Sequence, residues 1–296
     1  MLKSVGSVVI AITAACAFGQ EGTILGGNLI PNELVEMSRT SGATTSRVAV
    51  GESPQGLAYN SNTGEVYAVD AGDNSVFSIN PDTGATTLLA AVTGASNANG
   101  LAYDPVNDII YVSDNNNNRL YSVDPSTGAS STIGVISGAN GVEGLAYDPI
   151  NGILYGLSDL TDRIVTIDPD TAQASPLSLA LPAVNWRGLA YDVNENALYA
   201  SVSVSGNFYR IDLFPLRLVN LGGISPARAV QGLAIIQTVE ICQADLDGDG
   251  TLSIFDFIEF QNLFADSDPR ADINGDGLFN LFDFLEFQNL FDQGCD

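Results

Sequence analysis

One short phrase recurs along this chain at a constant interval. Gly56 opens GLAYN, Gly100, Gly144 and Gly188 open GLAYD, and Gly232 opens GLAII, each 44 residues after the one before. A period of about 40–45 residues carrying about four short strands is that of a β-propeller blade, a unit that buries its apolar faces only by stacking on neighbours. Within the repeat that begins at Gly100, LAYDP, DIIYVSD, RLYSVDP and STIGVI are four runs rich in β-branched and aromatic residues. Asp-Pro, NNNN and Ser-Thr-Gly separate them. Alternation of this kind suits a pleated strand, and the punctuation suits tight turns. We letter the strands of a blade a to d from the centre outward.

The ends of the array predict a closed ring. Before Gly56, GTILGGN, ELVEMSRTSG and TTSRVAV align with strands b, c and d, and after Gly232 only GLAIIQTV remains, which aligns with strand a. Three strands from one end and one from the other complete a fifth blade, and closure removes the free edges of an open array. The expected fold class is therefore an all-β propeller of five four-stranded blades over residues 22–239, followed by a small α-helical module over residues 240–296. The blade pattern resembles YVTN/NHL-type propellers, which implies the fold and leaves the ligand open.

The repeat also sorts side chains by face. The a–b and c–d turns share one face, where Asn60, Asp104, Asp148 and Asp192 recur, as do Asn80, Asp124, Asp168 and Asp212. These are expected to cap their own turns through backbone N–H groups two residues on. On the other face, the residue before each strand-a glycine is Gln55, Asn99, Glu143, Arg187 and Gln231. Those five are expected to ring the channel mouth. Around them stand the b–c loop residues Asp70, Asp73, Asp114, Asn115, Asn116, Asp159 and Asp162, with Trp186 as an aromatic platform. The expected ligand is an extracellular polysaccharide, although polar loops also arise simply because loops face water.

Composition narrows the chemistry. Histidine is absent, which removes imidazole metal sites and Ser-His-Asp or Cys-His catalysis. Ten basic residues against 35 acidic ones speak against nucleic acid and suit hard cations. Residues 1–19 carry Lys3, an apolar run from Val5 to Ala17 and Ala15-Cys16-Ala17, which read as a secretory signal peptide rather than a membrane span. Export leaves two cysteines, Cys242 and Cys295, predicted to form a disulfide that brackets the C-terminal module.

That module holds two twelve-residue loops, DLDGDGTLSIFD from Asp245 and DINGDGLFNLFD from Asp272. Both place oxygen ligands where a calcium loop needs them, with glycine at the sharp bend. The first offers Asp245, Asp247, Asp249, the Thr251 carbonyl and Asp256, and the second Asp272, Asn274, Asp276, the Leu278 carbonyl and Asp283. Two Ca2+ ions are expected. Ser253 and Asn280 stand at helix N-cap positions, each with Asp three residues later. This duplicated loop-plus-helix arrangement resembles type I dockerin domains, which implies calcium binding and a cohesin-like protein partner. Three features depart from that family: loops only 27 residues apart, Ile254-Phe255 and Leu281-Phe282 at the recognition positions, and no Pro/Ser-rich linker.

These readings describe a secreted, calcium-binding protein with a recognition propeller and a module for attachment or assembly. The alternative is a polysaccharide-active glycoside hydrolase using Glu143 with Asp114 or Asp159, since such chemistry needs a carboxylate pair across a sugar. Strict blade register, with no insertion to build a cleft, argues against it.

Overall fold

The computed structural model describes residues 22–182, 185–203, 205–225, 230–237, 244, 246, 252–266, 268–274 and 278–293. The expected signal peptide, Cys242 and Cys295 lie outside them. The chain begins with β1 (Ile24–Leu29), β2 (Asn32–Met37) and β3 (Thr44–Ala49). The first full repeat forms β4 (Gly56–Tyr59), β5 (Val66–Asp70), β6 (Ser75–Ile79) and β7 (Thr86–Ala91). The second forms β8 (Ala98–Asp104), β9 (Ile109–Asp114), β10 (Arg119–Val123) and β11 (Ser130–Val135). The third is β12 (Val142–Asp148), β13 (Ile153–Ser158), β14 (Arg163–Ile167) and β15 (Ala174–Ala180). The fourth is β16 (Trp186–Asp192), β17 (Ala197–Val202), β18 (Asn207–Leu213) and β19 (Leu216–Gly223), and β20 (Val230–Ile235) ends the array.

Each full repeat is one antiparallel sheet in chain order, and the fifth sheet runs β20-β1-β2-β3. The composite blade is therefore real: Ile24 pairs with Ile235, Leu25 with Ala234 and Gly26 with Leu233 across the two ends of the array. The innermost strands β4, β8, β12, β16 and β20 touch in cyclic order, so the ring is closed.

The repeated glycine marks where these inner strands crowd the axis. A Cβ at Gly232 would lie 2.7 Å from the Gln55 carbonyl oxygen and 2.9 Å from the Leu57 nitrogen, and one at Gly188 would lie 2.8 Å from the Gln231 carbonyl oxygen. Gly56, Gly100 and Gly144 meet the carbonyls of Asn99, Glu143 and Arg187 in the same way. No side chain fits at that approach, so the period of the sequence is the period of backbone contact around the axis. The b–c turn of each full repeat also carries a left-handed residue at the same interval, Asn74, Asn118, Asp162 and Gly206, types that tolerate this conformation.

Apolar burial follows the blade interfaces. One buried cluster lies between each neighbouring pair, including Leu25, Leu34, Leu57 and Phe77 on one side of the composite blade and Ile24, Val35, Tyr199 and Phe208 on its other. Tyrosines add a polar tie at these seams. Strand b of one blade and strand a of the next meet through Tyr67–Tyr103 (edge to face), Tyr111–Tyr147 (tilted) and Tyr155–Tyr191 (stacked), with ring centroids 5.2, 5.8 and 5.8 Å apart. Tyr147 is hydrogen-bonded to Asp104 of the preceding blade, and Tyr191 to Asp148.

The final repeat lacks that tyrosine, having Ile235 in its place. There Asp192, fully buried, pairs instead with Arg39 from the turn after β2. Arg39 also lies 3.3 Å from Glu195, and its guanidinium sits 5.4 Å from the centre of the Tyr199 ring. This ion pair joins the composite blade to the fourth. Removing one partner of a buried pair strands the other, which costs about 3–5 kcal/mol. Arg39→Ala should therefore lower the unfolding free energy by an amount near the lower end of that range, seen as a lower urea midpoint, and adding Asp192→Asn should recover part of the loss.

The C-terminal region contains α1 (Ile254–Asp266), a short 3-10 turn (Pro269–Ala271) and α2 (Leu281–Gln293). Among the described residues its buried core is Ala244, Phe260, Leu263, Ala271 and Phe287. No helix of the described residues is long and apolar enough to cross a membrane.

Candidate functional site

The five residues before the strand-a glycines occupy equivalent places on neighbouring inner strands, as the repeat requires. Three of them are tied together. Asn99 Nδ2 donates to Glu143 Oε2 at 3.0 Å, and Arg187 Nη1 reaches Glu143 Oε1 at 3.0 Å. Asn115 Nδ2 from the neighbouring b–c loop donates to the same Oε1. Arg187 Nη1 also meets Asp159 Oδ2 at 3.3 Å and donates to the Trp186 carbonyl at 3.1 Å. Gln55 is turned to its own loop, where its Oε1 accepts from Ala71 N at 2.7 Å, while Gln231 is half-buried.

Glu143 is buried, and its carboxyl is held above the ordinary carboxylate range. Desolvation is the main cause; Arg187 and Asn99 pull the value down, and Asp159 adds to the rise. The result is a charge-paired bridge spanning three blades on one side of the mouth.

Trp186 does not provide the expected platform. Its side chain is fully buried, 4.9 Å from the ring of Tyr209 within the interface between the third and fourth blades. Its place in the repeat is that of Ala98, Val142 and Val230, which are buried between blades in the same way. Asp114 is likewise consumed by structure. It is 1% exposed and accepts from the backbone of Ser96, Asn116 and Asn117 at 2.8, 3.0 and 3.2 Å, which leaves it no role opposite Glu143.

At the other end of the channel a cavity of about 50 Å3 is lined by Tyr59, Tyr103, Tyr147, Tyr191 and Gln237 among others. That space has room for a few water molecules. Turn capping on this face follows the expected pattern: Asn60, Asp104, Asp148 and Asp192 accept from the backbone N–H two residues on at 2.9, 2.9, 3.0 and 2.9 Å. Asn80, Asp124 and Asp168 do so in the c–d turns, and bonds from Ser126 and Thr127 hold the Asp124 carboxyl down at about 2. Asp212 breaks the series. It binds Arg210 Nε and Arg217 Nη2, both at 2.7 Å, in place of its own turn.

The C-terminal loops are described at their closing ends. Asp256 and Asp283 are fully buried at position 12 of each loop. Asp256 accepts from Leu246 N at 2.9 Å and Ser253 N at 2.7 Å; Asp283 accepts from Asn280 N at 2.8 Å. Ser253 and Asn280 in turn accept from Phe255 N at 3.0 Å and Phe282 N at 2.8 Å, so both helices start in reciprocal caps. Asp272 is half-buried, and Asn274 and Leu278 are exposed. Asp245, Asp247, Asp249, Thr251 and Asp276 lie outside the described residues. Among the described residues no three acidic or cysteine side chains converge on one point.

Over residues 26–215 the chain matches the family described as "Repeat of unknown function (DUF6923)". The protein belongs to this repeat family. The matched span of this DUF6923 protein runs from β1 to the turn before β19. Comparison with curated proteins finds no match. Among solved structures, it is similar to a chain of the nidogen/laminin complex at 16% identity and a TM-score of 0.54, covering 73% of this chain and 98% of that one. It is also similar to a structural genomics protein of unknown function from Bacteroides thetaiotaomicron, at 14% identity and a TM-score of 0.56, over 74% of this chain and 63% of that one. At such identities the likeness establishes the propeller fold alone.

The tyrosine seams make stability depend on alkaline pH. Burial, with Asp104 or Asp148 nearby, pushes Tyr111 and Tyr155 up to about 12. A phenol raised above its unfolded value of about 10 stabilises the fold below pH 10, and that contribution is lost as pH climbs toward 12. Denaturant midpoints should hold up to about pH 10 and then fall, with most tyrosinate absorbance appearing only as the propeller unfolds. Full ionisation of the folded protein at pH 10 would contradict this.

Proposed function

We propose that this is a secreted calcium-binding protein in which the propeller recognises an extracellular ligand and the C-terminal region is a dockerin-like module for attachment or assembly. The observation that carries the reading is the pair of buried aspartates, Asp256 and Asp283, closing two equivalent loops. A carboxylate is rarely buried without a structural or ligating reason, and position 12 is where a calcium loop places its closing ligand. The caps orient both side chains back toward the loop starts, which fits the donor set read from Asp245 and Asp272 onward. The two ions would neutralise part of a region with 14 acidic residues and Arg270 alone from Glu240 on. The leader-like N-terminus and the Cys242–Cys295 pair support an oxidising, extracellular setting.

On the propeller, the polar mouth formed by Gln55, Asn99, Glu143, Arg187 and Gln231 is the recognition surface of this reading, with an extracellular polysaccharide as its ligand. For attachment, the helices leave two matching apolar patches uncovered: Ile254, Phe255 and Ile258 are 64, 62 and 46% exposed, and Leu281, Phe282 and Leu285 are 66, 67 and 48% exposed. The departures at these positions from the dockerin pattern favour an apolar partner surface over a cohesin of the usual polar kind.

Calorimetric titration of the full chain with calcium should reveal two bound ions, and Asp245→Ala combined with Asp272→Ala should remove both. Chelation should also unfold the helical region while leaving the propeller's near-ultraviolet signal in place. Absence of any binding in the parent protein would refute the metal assignment.

A further inference from the structure

The fourth blade departs from its siblings at one turn. The c–d turns after β6, β10 and β14 are polar and self-capped by Asn80, Asp124 and Asp168. Between β18 and β19 the chain instead reads Leu213-Phe214-Pro215-Leu216, with Leu213 paired directly to Leu216. Phe214 at this tip is 92% exposed, the most exposed large apolar side chain among the described residues. Its ring does no packing there, and a polar turn of the sibling type would serve the hairpin equally well.

Charge distinguishes this corner as well. Arg39, Arg210 and Arg217 are interleaved with Asp192, Glu195 and Asp212, Arg210 lying 2.8 Å from Glu195 and Arg217 2.7 Å from Asp212. The cluster sums to zero on a chain whose formal charge is −25. An acidic apolar surface can therefore approach this tip without the repulsion it would meet over most of the molecule. The chain carries such surfaces: the two patches of the helical region, each of three exposed apolar side chains, on a segment of 14 acidic residues and one arginine.

We infer that the Phe214 hairpin tip docks into an exposed helical patch of a second copy of this chain. This rests on reading the patches as an attachment surface, and it names their partner. Pairing of patch with patch would bring two strongly acidic regions together, whereas tip with patch brings an acidic region to a neutral one. Both surfaces are exposed, and the contact we infer lies between copies. It is heterologous, and a region with two patches takes two tips, which links chains into open assemblies. One tip buries far less than the about 1,200 Å2 of a stable interface, so a single contact is weak and assembly appears at high concentration.

The test is sedimentation of the full chain in calcium, from low to high micromolar concentration. The parent's weight-average mass should rise with concentration. Phe214→Ser should remain monomeric, as should Phe255→Ser combined with Phe282→Ser. The first variant keeps the patches and the second keeps the tip, so mixing them should restore association. A parent that stays monomeric throughout overturns the inference, as does Phe214→Ser associating like the parent, or a mixture that stays monomeric. If the parent is monomeric yet the patch double variant loses binding to extracellular material, the attachment surface stands and the second copy falls. If the patch variant loses nothing in either assay, both fall together.

Discussion

Five inner strands meet at an axis where backbone approaches backbone too closely for any side chain. That contact demands glycine five times, at Gly56, Gly100, Gly144, Gly188 and Gly232, each against the inner strand of the next blade. Everything outward depends on it. Strand b pairs with strand a, the interface clusters form between blades held at that spacing, and the tyrosine–aspartate ties cross the seams so defined. Because Gly232 meets Gln55 and Leu57, the last repeat closes on the first, and the three N-terminal strands complete the blade that Gly232 begins.

The architecture was legible because axial contact acts on each blade identically and so imprints a period. The alignment of GTILGGN, ELVEMSRTSG and TTSRVAV with strands b to d matches β1, β2 and β3, and turn capping by Asn60, Asp104, Asp148 and Asp192 follows from turn chemistry alone. Depth was harder to read than position. Trp186 stands beside a mouth position, yet it is buried in the blade interface like Ala98, Val142 and Val230 at the same place in their repeats. The apolar character of those equivalents would have revealed this.

What breaks the period was least visible. Arg39 substitutes for a tyrosine that is missing from another strand of its own composite blade, and Asp212 leaves its turn for two arginines. Each replacement joins residues far apart in the chain or side chains whose reach no spacing rule encodes. The tyrosine pairs were legible in principle, since Tyr67, Tyr111, Tyr155 and Tyr199 recur at the same interval as the glycines. In the helical region, capping by Ser253 and Asn280 was local and therefore readable, and the apolar pairs Ile254-Phe255 and Leu281-Phe282 fall in two matching exposed patches.

Ring closure through axial glycines is tested most directly by placing alanine singly at Gly56, Gly100, Gly144, Gly188 and Gly232 and measuring equilibrium unfolding in urea. A Cβ forced into packed backbone costs about 1–3 kcal/mol or more. All five variants should lose stability on that scale, Gly232→Ala as severely as the others. Four damaging substitutions beside a neutral one at Gly232 would mean that the final strand does not close the ring.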